Sequence, residues 1–199
     1  MSTTATAGSP GSATDRRTAR ERLLDAANEL FYAEGVHTVG IDRIIERAGV
    51  AKASLYSTYG SKDELVRAYL TLRHARIQAR IERHLASKTD PRERVLAVFD
   101  AQAERFAEPG YRGCAFTAAA AESEPGSAAV EETENYRAWL LGLLTDLSRQ
   151  AGAPEPEALA RRLQMIYDGA GLAIRIDRSA TAGPDARAAA ETLLDAALA

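Results

Sequence analysis

Glycine and proline cut this chain into segments whose apolar residues recur at three- and four-residue spacing. Gly35, Gly49, Gly60, Pro91, the Pro109-Gly110 pair, Pro154 with Pro156, and Pro184 mark the breaks. That spacing lines apolar side chains along one face of an α-helix, whereas a half-buried strand needs a period of two. No alternating run of strand length is present. The apolar fraction, 46%, is mostly alanine and leucine, with few β-branched and aromatic residues, so composition favours helix as well. An all-α chain of nine helices is predicted.

Thr14 or Asp15 can cap a first helix with Leu23, Leu24, Ala27, Leu30 and Phe31 on its apolar side, ending at Gly35. Thr38 can cap a short second helix carrying Ile41, Ile44, Ile45 and Ala48, stopped by Gly49. A third runs from Lys52 to Thr58, where Gly60 breaks it. Ser61 and Glu64 have capping-box spacing and open a long helix with Val66, Leu70, His74, Ile77, Ile81 and Leu85 in one stripe. Pro91 starts a fifth, with Val95, Phe99, Ala103 and Phe106 in register. A small-residue helix around Cys114 to Glu122 follows, then helices over about 127–150 and 157–178 and a last one opened by Pro184. Residues 1–14, rich in Ser, Thr, Gly and Ala, bury nothing and are expected to be disordered.

The helix over 157–178 is unusual, because Leu163, Met165, Ile166, Tyr167, Leu172, Ile174 and Ile176 spread around most of its circumference. It must be covered on more than one side. Gly169, Ala170, Gly171 and Ala173 permit close approach, so with the final helix it can form a four-helix subunit interface. The central core helix of a monomer has the same pattern, and periodicity weighs the two readings equally.

Charge is unevenly placed in a chain of net charge −3. Residues 1–88 hold fourteen positive and ten negative side chains, and residues 89–199 hold eleven and eighteen. The first part tolerates a polyanion and the second does not. One cysteine, Cys114, excludes an intrachain disulfide and a multi-cysteine metal site. The N-terminus lacks the pattern of a signal peptide, and no apolar run approaches a membrane span, so a cytoplasmic protein is expected, with no membrane partner.

The stretch GVAKASLYSTYGSKDEL, residues 49–65, sets Ser54, Ser57, Thr58 and Ser61 beside Lys52, Lys62, Tyr56 and Tyr59, with Val50, Leu55 and Leu65 as its aliphatic anchors. Hydroxyls, ammonium groups and free N–H groups at a helix start are what phosphate oxygens accept hydrogen bonds from. Helix 41–48, a glycine turn and helix 52–58 have the dimensions of a helix-turn-helix. Ile44, Ile45, Ala48, Val50 and Leu55 can anchor its buried side, leaving Lys52, Ala53, Ser54, Tyr56, Ser57 and Thr58 outward. Thr38 can offer its hydroxyl and a helix N-terminus to one phosphate, and Lys62 can reach another. Lys52 can reach guanine acceptors, and the Ala53 methyl a thymine.

The run ARERLLDAANELFYAEGVHTVGIDRIIERAGVAKASLYSTYGSKDELVRAYL, residues 19–70, resembles the TetR family of transcriptional regulators. Its Phe-x-x-x-Gly helix end, Thr, Ile pair, Ala-Gly-Val, Leu-Tyr and Ser-Lys-x-x-Leu carry the likeness. The resemblance implies an N-terminal three-helix helix-turn-helix DNA-binding domain over 15–62, with the motif at about 39–58. A helical effector-binding and dimerisation domain over 63–199 would follow. It implies DNA contacts at Thr38, Lys52, Ala53, Ser54, Tyr56, Ser57, Thr58 and Lys62, on a pseudo-palindromic double-stranded operator. It also implies a homodimer through helices 157–178 and 184–198. The chain departs from the family pattern at Ala51, where Ser or Thr is common, at Ala53, where Gly is common, and at Ser57-Thr58-Tyr59.

The function this implies is a homodimeric repressor released by a small, mostly apolar effector; the alternative is a constitutive repressor with no effector. Candidate pocket residues are Phe99, Phe106, Phe116, Glu122, Tyr136, Trp139, Met165 and Tyr167, with Asp168 as a further polar anchor. Each reads equally as ordinary core. Arg73, Arg76, Arg80 and Arg83 read as a solvated face, Arg16, Arg17 and Arg20 as a solvated arm, His74 as a core histidine, and Cys114 as a buried helix residue. No metal or cofactor is expected, and no enzyme: the chain has no pair of Glu-x-x-His motifs on facing helices, no nucleophile elbow and no phosphate loop.

Overall fold

The computed structural model describes residues 17–199, so the N-terminal arm and the expected caps Thr14 and Asp15 lie outside the described residues. The first cap forms instead at Thr18. Its Oγ1 accepts from the Glu21 N–H at 3.2 Å, and the Glu21 carboxylate accepts from the Thr18 N–H at 2.8 Å. This reciprocal capping box satisfies two donors that helix geometry leaves free. It opens α1, Ala19–Glu34, which buries Leu23, Ala26, Ala27, Leu30 and Phe31.

The next two helices are short, and each depends on a few buried anchors. Helix α2, Ile41–Ala48, buries Ile44 and Ala48, and α3, Lys52–Tyr59, buries Leu55 and Tyr59. Between them Gly49 adopts the left-handed conformation, φ 62 and ψ 45, which turns the chain without the steric cost a side chain would bring. The expected cap at Thr38 is not formed: the cap position is Gly40, which has no side chain to offer. The Tyr59 hydroxyl donates to the Arg20 carbonyl at 2.9 Å and ties α3 back to α1.

Ser61 opens α4, Lys62–Ala86, by accepting from the Glu64 N–H at 3.1 Å. Its 25 residues span about 37 Å. Five further helices follow: α5 Pro91–Phe106, α6 Ala115–Ala121, α7 Ala128–Gln150, α8 Pro156–Ile176 and α9 Ala182–Leu198. Among the described residues there is no strand. Helix α4 packs on α1 and α3 at its start and on α5, α6 and α7 beyond, so it belongs to both parts of the molecule.

The central helix of the second part is α5, not α8. Val95, Leu96, Ala97, Val98, Phe99, Ala101 and Gln102 are buried around nearly its whole circumference, and it touches α4, α7, α8 and α9. Helix α8 buries Leu159, Leu163, Tyr167 and Ala170 but leaves Met165, Leu172 and Ile176 exposed at 74%, 55% and 66%. With Gly169 these residues follow four-, three- and four-residue steps, which puts them in one uncovered stripe. Among the described residues, no helix is long and apolar enough to cross a membrane.

Candidate functional site

The outward side of the helix-turn-helix presents Lys52, Ala53, Tyr56 and Ser57 to solvent, while Ser54 and Thr58 are half-buried. Neither α2 nor α3 has a side-chain cap, which leaves first-turn N–H groups such as those of Lys52 and Ala53 to meet an anion, while the Ser54 N–H is already bonded to the Ala51 carbonyl at 2.9 Å. Helices α1, α4 and α5 are each capped by a side chain. Lys52 is held by Asp42, Nζ to Oδ1 at 2.9 Å, and this carboxylate keeps the ammonium's pKa above its ordinary value. Both side chains are exposed, so the pair is weak and exchangeable. The Ser57 hydroxyl donates to the Ser54 carbonyl at 3.2 Å.

Thr38 is exposed in the loop before α2, and half-buried Lys62 stands beside it, donating from Nζ to the His37 carbonyl at 3.4 Å. Burial lowers the Lys62 pKa, with Glu122 opposing the shift. Arg17 pairs with Asp25 at 2.5 Å, and the Arg20 guanidinium lies 5.0 Å from the Tyr59 ring centre. Neither is a free arm. Arg16 lies outside the described residues.

A second feature is a cavity of about 180 Å³ among α4, α5, α7, α8, Tyr32 of α1, and the start of α6 with the segment before it. Of the eight pocket candidates, Phe106, Phe116, Tyr136 and Tyr167 line it. Phe99 is packed in the core against Tyr167, and Trp139 sits behind the wall, 4.8 Å from His74 between ring centres. Glu122 lines a separate hollow next to α1, and Met165 points to solvent. Sequence does not separate these cases for Met165, because a methionine on an all-round apolar helix reads alike whether it faces a cavity or an uncovered surface.

Most of the polar wall is invisible to sequence reasoning. Arg73, Arg76, Arg80, Arg105 and Arg175 all line the cavity, with Tyr32, Gln102, Glu108, Tyr111 and Asp168. Arg73 and Arg80 are therefore not part of a solvated face. The Arg73 guanidinium carbon lies 3.7 Å from the Tyr32 ring centre, and the side chain of Arg80 is 15% exposed. Their spacing beside Ile77 and Ile81 is the one available signal, since positions 73, 77, 80 and 81 share one side of a helix.

Tyr32, although on α1, is the hub of this wall. Its hydroxyl donates to the Gly113 carbonyl at 3.1 Å and accepts from the Arg112 N–H at 2.8 Å and from Arg105 at 3.1 Å. Burial pushes the Tyr167 phenol up to about 12 and raises Tyr111 and Tyr136 as well, so the tyrosines remain neutral at physiological pH. Cys114 is half-buried, occupies the N-cap of α6 and lines the cavity, so it is not an interior helix residue. No group of three or more potential metal ligands exists among the described residues.

A glycine turn between two short helices, with an uncapped, hydroxyl- and lysine-bearing second helix, defines the helix-turn-helix class. The family described as bacterial regulatory proteins, tetR family, matches residues 23–69. SCO4454, a TetR-family transcriptional regulator from Streptomyces coelicolor, shares 35% identity at a TM-score of 0.86, over 91% of this chain and 96% of that one. The HTH-type transcriptional regulator LmrA of Bacillus subtilis is 29% identical over 143 residues, 70% of this chain and 76% of its own. The HTH-type transcriptional activator FasR of Mycolicibacterium smegmatis is 39% identical over 82 residues, 41% of this chain, and the match spans only 37% of FasR. The chain belongs to the TetR family of transcriptional regulators, which are not enzymes.

Proposed function

We propose that this protein is a cytoplasmic, homodimeric repressor that binds a pseudo-palindromic operator and leaves it when a small effector enters the cavity beside α4. The observation that carries the reading is the bare face of α3. Its uncapped N-terminus lies beside exposed Lys52, Ala53, Tyr56 and Ser57, with Thr38 and Lys62 flanking it. In this reading phosphates are met by Thr38, Lys62 and the free N–H groups, and bases by Lys52, Ala53, Ser54, Tyr56 and, at the groove edge, Ser57 and Thr58. The DNA-binding unit ends near residue 62, and 63–199 carries effector binding and dimerisation.

The exposed Met165, Gly169, Leu172 and Ile176 stripe of α8 supports dimerisation, together with the small outward residues Ala188, Ala189, Thr192 and Ala196 of α9. Two such helix pairs form a four-helix bundle and set the recognition helices about one DNA turn apart. Helix α4 is the lever, because it starts beneath α3 and runs on to line the cavity. An effector need only bind the DNA-incompetent spacing more tightly than the competent one.

The test is fluorescence anisotropy against duplexes from the regions flanking the protein's own gene, with a scrambled duplex as control, over a salt series. Specific binding that is lost in Lys52→Ala and Tyr56→Ala supports the reading. Equal, weak binding to flanking and scrambled duplexes, with no gain on a genome-wide pull-down, would refute sequence-specific recognition.

A further inference from the structure

We propose that the cavity beside α4, which opens to solvent, takes a small aromatic carboxylate bearing a hydroxyl group, its acid held by Arg73, Arg76 and Arg175 and its hydroxyl by Gln102. The inference rests on the proposed effector role of this cavity and specifies the chemistry of its occupant.

Charge on the wall is unbalanced. Five arginines face two carboxylates, Glu108 and Asp168, and both carboxylates are already engaged. Glu108 binds Arg80 and Arg105, and Asp168 binds Arg137 at 2.5 Å. Arg80 is further held by Glu104 at 3.3 Å. Arg73, Arg76 and Arg175 form no ion pair among the described residues, and the one hydrogen bond of Arg76 is a long one, 3.5 Å to Asn28; Arg76 and Arg175 are exposed, so water serves them, whereas Arg73 is half-buried. The Nε of Arg73 is buried with no acceptor. Burial pulls the Arg73 pKa below the ordinary arginine value, which marks the cost of keeping this cation there without a counter-ion. A planar carboxylate supplies that counter-ion and matches the guanidinium fork.

The remaining wall sets the rest of the occupant. Phe106, Tyr111, Phe116, Tyr136 and Tyr167 surround the space with aromatic surface, and about 180 Å³ exceeds the roughly 150 Å³ cavity that holds one benzene. One ring with two small substituents fits. The Gln102 side chain, 6% exposed, donates from Nε2 to the Tyr167 carbonyl at 2.7 Å and leaves its own Oε1 buried and unpartnered. A free acceptor in a buried wall calls for an O–H or N–H from the occupant. The mostly apolar molecule expected from sequence therefore matches the aromatic wall and misses the charged one.

The experiment is calorimetric titration of the full-length protein with 4-hydroxybenzoate, benzoate, 4-hydroxybenzamide and inorganic phosphate, alongside DNA anisotropy of the ligand-free protein. Binding of 4-hydroxybenzoate at least about tenfold tighter than that of either benzoate or the neutral amide is expected, with no binding of phosphate alone. Arg73→Gln and Arg175→Gln should each weaken the acid by about tenfold or more and leave the amide unaffected, while Arg83→Gln, on the solvent side of α4, changes neither. An amide that binds as well as the acid overturns the carboxylate assignment, and phosphate binding as tight as that of the acid overturns the aromatic one. If the protein binds its operator yet takes none of these ligands, this inference fails and the regulatory reading stands. If it binds the acid but recognises no operator, the occupant is upheld and the regulatory reading fails.

Discussion

The Glu122 carboxylate, at the end of α6, accepts a hydrogen bond from the His37 backbone N–H at 3.0 Å, joining residues 85 apart in sequence. The same residue is held through its following peptide, since Lys62 donates to the His37 carbonyl at 3.4 Å. The loop that precedes α2 and carries Thr38 is thus clasped between the end of α6, whose first turn lines the cavity, and the first residue of α4.

Breaking this clasp should be visible at one amide. Glu122→Ala is expected to speed hydrogen exchange at His37 by roughly tenfold, leaving exchange at the buried core amides of α5 unchanged. Unaltered exchange at His37 would mean that the bond does not persist in solution.

Gly35 makes the clasp possible. Its φ is +96, and a Cβ placed there would lie 2.6 Å from the Glu122 carboxylate oxygens. Gly35→Ala should destabilise the fold by about 1–3 kcal/mol in urea unfolding, through backbone strain and displacement of Glu122. In a Glu122→Ala background the loss should shrink without vanishing, because the strain remains when the collision is gone.

A pH effect follows from His74, which contacts Phe116, Tyr136 and Trp139 edge-on. Its Nε2 is buried without a partner. Burial holds its pKa below the ordinary 6.5, with Glu132 opposing in part. The unfolded chain therefore gains the proton first, so stability falls as pH drops through about 6.5 toward the lower folded-state value. Glu21, Glu34, Glu104 and Glu157 have pKa values below 4.5, lowered chiefly by hydrogen bonds, so their contributions are lost only at lower pH. The urea midpoint should decline between about pH 7 and 5 in the native protein and stay flatter in His74→Phe. An identical decline in both would assign the effect to other groups.

The uncovered stripe of α8 gives a test of assembly. Met165→Glu combined with Ile176→Glu should yield a monomer by light scattering, with intrinsic fold stability changed by no more than about 0.5 kcal/mol per site, because both side chains are exposed. A dimer that survives both changes would place the interface elsewhere.

The proposed function gives Lys62 a phosphate contact. Lys62→Ala should weaken binding to specific and scrambled DNA alike and reduce the salt slope by about 1. An unchanged slope would leave Lys62 as a loop anchor through His37 alone.

Helix order and most boundaries are legible in the sequence because Gly49, Gly60, Ser61 and Pro91 stop or start helices by local chemistry that needs no tertiary partner. The first cap is the exception: Thr14 and Asp15 are plausible caps by residue type, yet Thr18 and Glu21 carry the capping-box spacing and form it. The helix-turn-helix is legible for the same reason as the boundaries, its anchors and turn lying within twenty residues. The cavity is not, because Tyr32, Arg73, Gln102 and Arg175 come from four helices and meet only through packing. Which way an arginine turns depends on neighbours that periodicity does not name.

Tyr32 has a consequence for engineering. It belongs to the first helix, upstream of α2 and α3, yet its ring carries Arg73 and its hydroxyl holds the loop at Arg112 and Gly113 and accepts from Arg105 of α5. The two halves are therefore not interchangeable cassettes. Under the proposed function, a hybrid made by grafting another relative's headpiece onto this body would change the inner surface of the chamber along with the DNA-reading face, unless the donor brings a tyrosine to the same place.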